Sequence, residues 1–315
     1  MKKYIYLIFG LLVIVAILAV YRIKNEGGGD GREIVAEKSV NASLNAEGLD
    51  AIKNEADQVG GHGLGRAKPG EGGGIYDTKN LKEYYERVKK NPQNGGYFYA
   101  QAAITSCRQK VSLLTMPQSG FSSENIVREK QILAQNKLRE LCQGFSDADI
   151  KESYIDLQRN GRNLGDPLII AQQDMIDSST KEEFESSLKN IFAKKDVYLA
   201  SSVWPNFGKI RGFDGSGKNE FFFEGESYST DRELTIYQAA WQIVPCVSGV
   251  RCEMGSDTVL MATCVDEGVC METREGLVEH QFGSDKASYR KAVDLARKLS
   301  NAVEQGRYQL FLPPQ

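Results

Sequence analysis

The sequence predicts a mainly α-helical protein: an N-terminal transmembrane helix, a flexible tether, then a disulfide-stapled array of helical hairpins with one small β-hairpin. Three observations predict this. Tyr4 to Tyr21 is an apolar run of 18 residues without a charge. Beyond residue 76, apolar residues recur at i, i+3, i+4 and i+7, the period of a helix with one buried face. Six cysteines (Cys107, Cys142, Cys246, Cys252, Cys264 and Cys270) fall within that helical part.

Residues 1–24 are read as the anchor. A helix rising about 1.5 Å per residue needs roughly 17–25 apolar residues to cross a bilayer core. Lys2 and Lys3 open the run, and Arg22 and Lys24 close it. A cleaved signal is the competing reading, but its apolar core is about 7–15 residues long. No small-x-small pair ends the run cleanly either, because Ile17 stands two positions before Ala19. The basic head is expected to stay in the cytoplasm, which makes the chain a single-pass inner-membrane protein with its bulk in the periplasm.

Residues 25–75 are read as a glycine-rich linker. Between Arg22 and Ile75 there is no Phe, Trp or Tyr, while glycine occurs 13 times. A segment with so little surface to bury does not offset its ordering entropy. A flexible chain of this length spans on the order of 40 Å. Two lookalikes are declined here. Gly60-Gly61-His62-Gly63-Leu64-Gly65 lacks the strand and helix of a dinucleotide loop. Gly65-Arg66-Ala67-Lys68-Pro69-Gly70 is followed by Glu71 where a phosphate loop needs lysine. Asn41-Ala42-Ser43 is a glycosylation sequon, meaningful only in a eukaryotic secretory pathway.

Residues 76–315 are read as a periplasmic helical domain, long enough for a sizeable core. Leu81, Tyr84, Tyr85 and Val88 mark a first helix, with Asp77 and Thr78 as caps, and Gly95-Gly96 breaks the chain. Ala100, Ala103, Ile104, Cys107, Val111 and Leu114 mark the second. The third is capped by Ser122 or Ser123, runs through Ala134, Leu138 and Leu141 to Cys142, and stops at Gly144. Shorter helices are expected over Ser146–Gln158, Pro167–Ile176 behind an Asp166 cap, and Thr180–Phe192. Lys209–Phe213 and Asn219–Glu224, around Asp214-Gly215-Ser216-Gly217-Lys218, read as the β-hairpin, and Phe221-Phe222-Phe223 should pack on the helices or on a partner. A calcium loop at Asp214, Ser216 and Glu220 is declined for lack of EF-hand spacing. Helices are expected again from Thr230, with Asp231 available at the cap, into Pro245-Cys246, over Asp257–Cys264 and over Ser284–Gln305. The tail from Tyr308 to Pro313 should dock through Leu310, Phe311 and Leu312.

The cysteines read as disulfides, which persist in oxidising compartments. A zinc site would use tighter Cys-x2–4-Cys knuckles, often with histidine; here two Cys-x5-Cys units stand eleven residues apart with no histidine in the cluster. They form a faint repeat offset by 18, each unit a helix whose last turn is stapled to the following loop. Three connectivities stay open for these four. Cys107 and Cys142 pair by elimination, although a tight hairpin of helices two and three would leave them about ten residues out of level.

Residues for chemistry are scarce. His280 is the sole histidine of the folded part, in a stretch read as a surface loop, and no Gly-x-Ser-x-Gly elbow exists. No catalytic, cofactor-binding or metal-ligating residue is assigned, and no cofactor is expected. The net charge of −3, with Lys and Arg scattered among acids, argues against nucleic acid as a partner.

Gly95-Gly96-Tyr97-Phe98-Tyr99-Ala100 leading to Cys107, Cys142-Gln143-Gly144-Phe145, Gly165-Asp166-Pro167-Leu168, and Trp241 followed by the four-cysteine array resemble a group of exported or membrane-tethered helical proteins of Gram-negative bacteria without an assigned activity. The resemblance covers about Tyr76 to Leu312 and implies periplasmic placement, a helical fold and disulfides. The expected function is a membrane-anchored binding or scaffolding module, held in the inner membrane through residues 4–21 and meeting a protein or peptide partner in the envelope. The alternative is a cell-envelope hydrolase using paired carboxylates.

Overall fold

The computed structural model describes residues 74–314, except 109, 147–148, 150–153 and 215–219. The anchor and the linker up to residue 73 lie outside the described residues. Among the described residues no helix is long and apolar enough to cross a membrane. The folded part begins at a helical turn, Gly74–Asp77, that buries Ile75, so Ile75 is core where the sequence reading gives it to the linker.

The described helices are α1 (Leu81–Val88), α2 (Gly96–Arg108), α3 (Asn125–Cys142), α4 (Tyr154–Asn163), α5 (Pro167–Asp177), α6 (Lys181–Ala193), α7 (Val197–Val203), α8 (Asp231–Val247), α9 (Thr258–Glu267), α10 (Arg274–Phe282) and α11 (Lys286–Glu304). The mainly helical class with one small antiparallel sheet and three disulfides is as expected.

The first hairpin shows how the sequence builds these elements. α1 buries Leu81, Tyr84, Tyr85 and Val88, the four residues of the predicted stripe. Its cap is Asn80, whose side chain accepts from Lys82 N and Glu83 N, rather than Asp77 or Thr78. A Cβ on Gly96 would lie 2.0 Å from the Val88 carbonyl oxygen, so α2 starts against the end of α1 only because residue 96 has no side chain. Gly95 supplies the left-handed step at φ 80°.

Two sequence-based expectations need correction. Helices two and three do not form a hairpin. α2 ends at Arg108, with Val111–Leu114 a separate turn, so Cys107 sits in a last turn as Cys142 does. The segment from residue 109 to 124 then carries the chain away, and α3 packs mainly on α9, where Gln131 Nε2 donates to the Val265 carbonyl at 3.0 Å. With both cysteines at helix ends the mismatch disappears. α3 opens at Asn125 with no side-chain cap; Ser122 Oγ instead accepts from Glu124 N.

The array is not open either. A solenoid repeat touches only its neighbours in sequence. Here α8 packs on α11, α3 on α9 and α2 on α4, around one contiguous core. Phe311 of the tail is fully buried beside Phe192, Phe207, Phe223 and Trp241, so the tail docks as expected.

The β-hairpin is displaced from its expected place. Trp204–Asp214 is 3-10 helix, and the strands are β1 (Phe221–Phe223) and β2 (Glu226–Tyr228). Glu224 at φ 53° and Gly225 at φ 79° form a two-residue turn with both residues left-handed, the kind that matches strand twist. The glycine-rich stretch suggested a turn one strand too early, and its residues 215–219 lie outside the described ones. All three phenylalanines of β1 are buried, as expected.

Of the helix expected over Ser146–Gln158, residues 147–148 and 150–153 lie outside the described ones, and helix is described over Tyr154–Asn163. α8 is capped by Thr230, in a reciprocal pair with Glu233, and continues through Pro245 to Val247. α7 and α10 were not anticipated; His280 lies exposed in the last turn of α10 rather than in a loop.

A polar cavity between the stapled helices

Lining the cavity, α2 presents Gln101, Ala102, Thr105 and Ser106 along one side, with Lys110 just past its end. α5 adds Gln172, α7 adds Tyr198, Ser201 and Ser202, and α8 adds Trp241, Gln242 and Pro245. Together with Trp204, Tyr76, the start of α9 and Arg274 of α10, they enclose about 440 Å³, within the size range of small-molecule sites.

The N-terminus of α2 is held by one carboxylate. Asp166, fully buried, accepts from Leu168 N (2.9 Å) and Ile169 N (3.1 Å) through one oxygen, and from Tyr97 N (2.7 Å) and Phe98 N (3.3 Å) through the other. It caps α5, as its sequence position predicts, and also the first turn of α2, which the sequence did not reveal. Burial pushes its carboxyl up, against the pull of the four amides. α7 is capped by Asp196, which also accepts from the Tyr99 hydroxyl.

Two of the three staples adjoin lining residues in sequence. Cys107 joins Cys142 beside Ser106 and Lys110; Cys246 joins Cys252 directly after Pro245; Cys264 joins Cys270 at the end of α9. All six candidate cysteines are thus disulfide-bonded, and the two Cys-x5-Cys units close on themselves as the repeat suggested. The two stapled loops then meet in an antiparallel bridge between Glu253 and Thr273, with Met254 N donating to the Glu272 carbonyl and Arg274 N to that of Cys252, both at 3.0 Å.

That bridge places Arg274 at the wall. Its Nε donates to Asp257 Oδ2 at 2.8 Å and a terminal nitrogen to Oδ1 at 2.5 Å, a bidentate pair. Asp257 is fully buried and caps α9 through Val259 N and Leu260 N. A further Arg274 nitrogen reaches the Gln242 carbonyl at 3.3 Å, next to the carbonyl of Trp241 that Pro245 leaves without its helical partner. Burial works against the Arg274 charge, but Asp257 holds its pKa up. The pair is neutral overall and structural.

Lys110 is different. It is half-buried on the wall, and among the described residues its ammonium has neither a hydrogen bond nor an ion pair. Desolvation lowers its pKa and the nearby Arg274 charge lowers it further, against the opposing pull of Asp257 and Asp266.

Two more polar groups, on α2 and α7, lack partners, as does the Trp241 indole nitrogen on α8. Gln101, 5% exposed, donates from Nε2 to Gln172 Oε1 at 3.3 Å, while its Oε1 is unpartnered. Turning the amide over merely leaves its nitrogen in the same position, so one end of Gln101 faces the cavity unsatisfied in either orientation. The buried Ser201 hydroxyl is likewise unpartnered, whereas Ser202 donates to the Leu199 carbonyl at 2.7 Å. A buried polar group left unpaired costs roughly 1–3 kcal/mol. Two of them on one cavity wall therefore mark a place where a ligand's polar atoms fit.

The cavity lining contains neither Asp nor Glu, and among the described residues no group of three His, Cys, Asp or Glu side chains is placed to hold a metal ion. Sequence reading did not single out Gln101, Lys110, Gln172, Ser201 or Arg274. The available signal was weak: glutamines at 101 and 172 within otherwise apolar helical stripes. No protein-family model, curated protein or solved structure matches this chain.

Proposed function

We propose that this chain is an envelope binding module: anchored in the inner membrane through residues 4–21, extended by the linker, and presenting its helical domain in the periplasm to a partner or ligand. The cavity carries the reading. It pairs an apolar wall of Phe98, Tyr198, Trp204 and Trp241 with the buried, unpartnered Gln101 Oε1 and Ser201 hydroxyl, the composition of a recognition site. Its lining supplies no carboxylate, so it favours binding over the paired-carboxylate hydrolase. Three disulfides support an oxidising compartment, as does the resemblance to tethered Gram-negative proteins.

The test is purification of the full chain from envelopes in mild detergent without reductant, followed by native mass spectrometry. A small adduct retained by the wild type and lost in Ser201→Phe, which fills the cavity, is the expected result. A wild-type protein that carries no adduct, and whose melting temperature the small-molecule fraction of an envelope extract leaves unchanged, overturns the reading. Six free thiols in cells would overturn the compartment.

A further inference from the structure

We propose that the cavity recognises a free carboxylate at the end of a short peptidic chain: carboxylate at Lys110, backbone amide at Gln101 and Ser201, one apolar side chain against the tryptophans. This rests on the reading of the cavity as a binding site and names its ligand class.

Charge defines one end of the ligand. Arg274 is already neutralised by Asp257, whereas Lys110 brings a half-buried positive charge to the wall that no carboxylate pairs with directly, Asp257 and Asp266 acting on it only from beyond ion-pair distance. An anionic group entering the cavity supplies that partner in a partly dehydrated setting, where charge-assisted hydrogen bonds are stronger.

The middle of the ligand follows from Gln101 and Ser201. One end of a carboxamide and one hydroxyl are left over. An amide offers both a donor and an acceptor, so it satisfies Gln101 whichever way that side chain is turned, and the Ser201 hydroxyl donates or accepts as needed. The apolar part follows from Trp204, Trp241, Phe98 and Tyr198 on the same lining.

Length follows from α2. Gln101 and Lys110 are nine positions apart; α2 carries the first seven of them to Arg108, and Lys110 N still donates to the Cys107 carbonyl. At about 1.5 Å per residue their Cα atoms are separated by roughly 13 Å. An extended chain of two or three residues covers about 7–10 Å, and the lysine side chain bridges the rest.

The chain's only two tryptophans, Trp204 and Trp241, both line the cavity, so their fluorescence reports occupancy. The experiment titrates the full chain, disulfides intact, with acetyl-Ala-Leu as free acid and as C-terminal amide. The acid should shift the emission saturably and bind at least tenfold more tightly than the amide. Lys110→Met should abolish that preference, and Lys110→Arg should keep it. Equal binding of acid and amide overturns the carboxylate inference while leaving a binding cavity. Binding of neither probe overturns the inference too, and the adduct measurement above then judges the cavity by itself. A second arm presents the same two residues at the C-terminus of a folded carrier protein. Binding to the carrier identifies protein tails as the source, and binding to the free form alone identifies small peptides.

Discussion

Asp166 does the work of two caps. Its carboxylate satisfies the first amides of both α2 and α5, and so joins the Gly95-Gly96-Tyr97-Phe98 and Gly165-Asp166-Pro167-Leu168 stretches, separated by some seventy residues. Asp166→Ala should therefore cost more than an ordinary cap, about 3 kcal/mol, because buried amides on two helices lose their acceptor. Urea unfolding measures it, and a loss below 1 kcal/mol would show that the α2 amides find another partner. A second carboxylate gives a pH signature. Burial works against the charge of Asp149, yet the Lys82 ammonium at 2.7 Å and two Ser146 donors hold its pKa down to about 2. A depressed carboxyl contributes stability above its unfolded value of about 4, and that contribution is lost as the pH falls through about 2. Wild-type stability should accordingly decline across that window more steeply than that of Asp149→Asn. At this scale the sequence revealed the α5 cap and hid the second bond set, since a cap's cross-chain partners have no local signature.

Elements were legible where a stripe and a cap coincide. α1 follows its predicted face, α5 and α6 follow their predicted spans to within a residue, and Thr180 with Glu183 forms the reciprocal cap of α6. α7 has only seven residues, too few for a period to register, and depends on Asp196 for its start. α10 contains Gly276, yet Thr273 caps it through that residue's amide and Leu277 and Val278 are buried. Local propensity was outweighed by packing in both. The β-hairpin was misplaced because Glu224-Gly225 is a less familiar turn pair than Asn-Gly. The tightest element junction is the turn between α1 and α2. Gly96→Ala forces a methyl into the Val88 carbonyl and should destabilise by about 3 kcal/mol or more. Gly225→Ala, with nothing within 4 Å of the added methyl, introduces only the strain of its left-handed backbone. Comparing the two by thermal melting separates a steric clash from backbone strain, and similar losses would contradict the close approach.

Across the whole molecule the three staples act on very different chain lengths. Cys107–Cys142 spans 35 residues, while the other two span 6 each. Loop-closure entropy assigns about 4 kcal/mol to the first and about 2 kcal/mol to each of the others. Replacing both cysteines of a pair by serine should reproduce that order in chemical denaturation, and equal losses would contradict it. The sequence by itself determined the helical class, the faces that face inward, the Asp166 cap and the pairing of Cys107 with Cys142 by elimination. It also suggested that each Cys-x5-Cys unit closes on its own helix. These are local properties, set by the helical period, by capping chemistry and by cysteine spacing. Tertiary structure alone decided that α3 packs on α9, that α8 packs on α11, and that Gln101, Ser201 and Lys110 share a cavity with Trp241 and Arg274. A periodic stripe encodes which side of a helix avoids water but not which distant stripe it meets. That choice is made by the fit of the whole core, and the cavity exists only once it has been made.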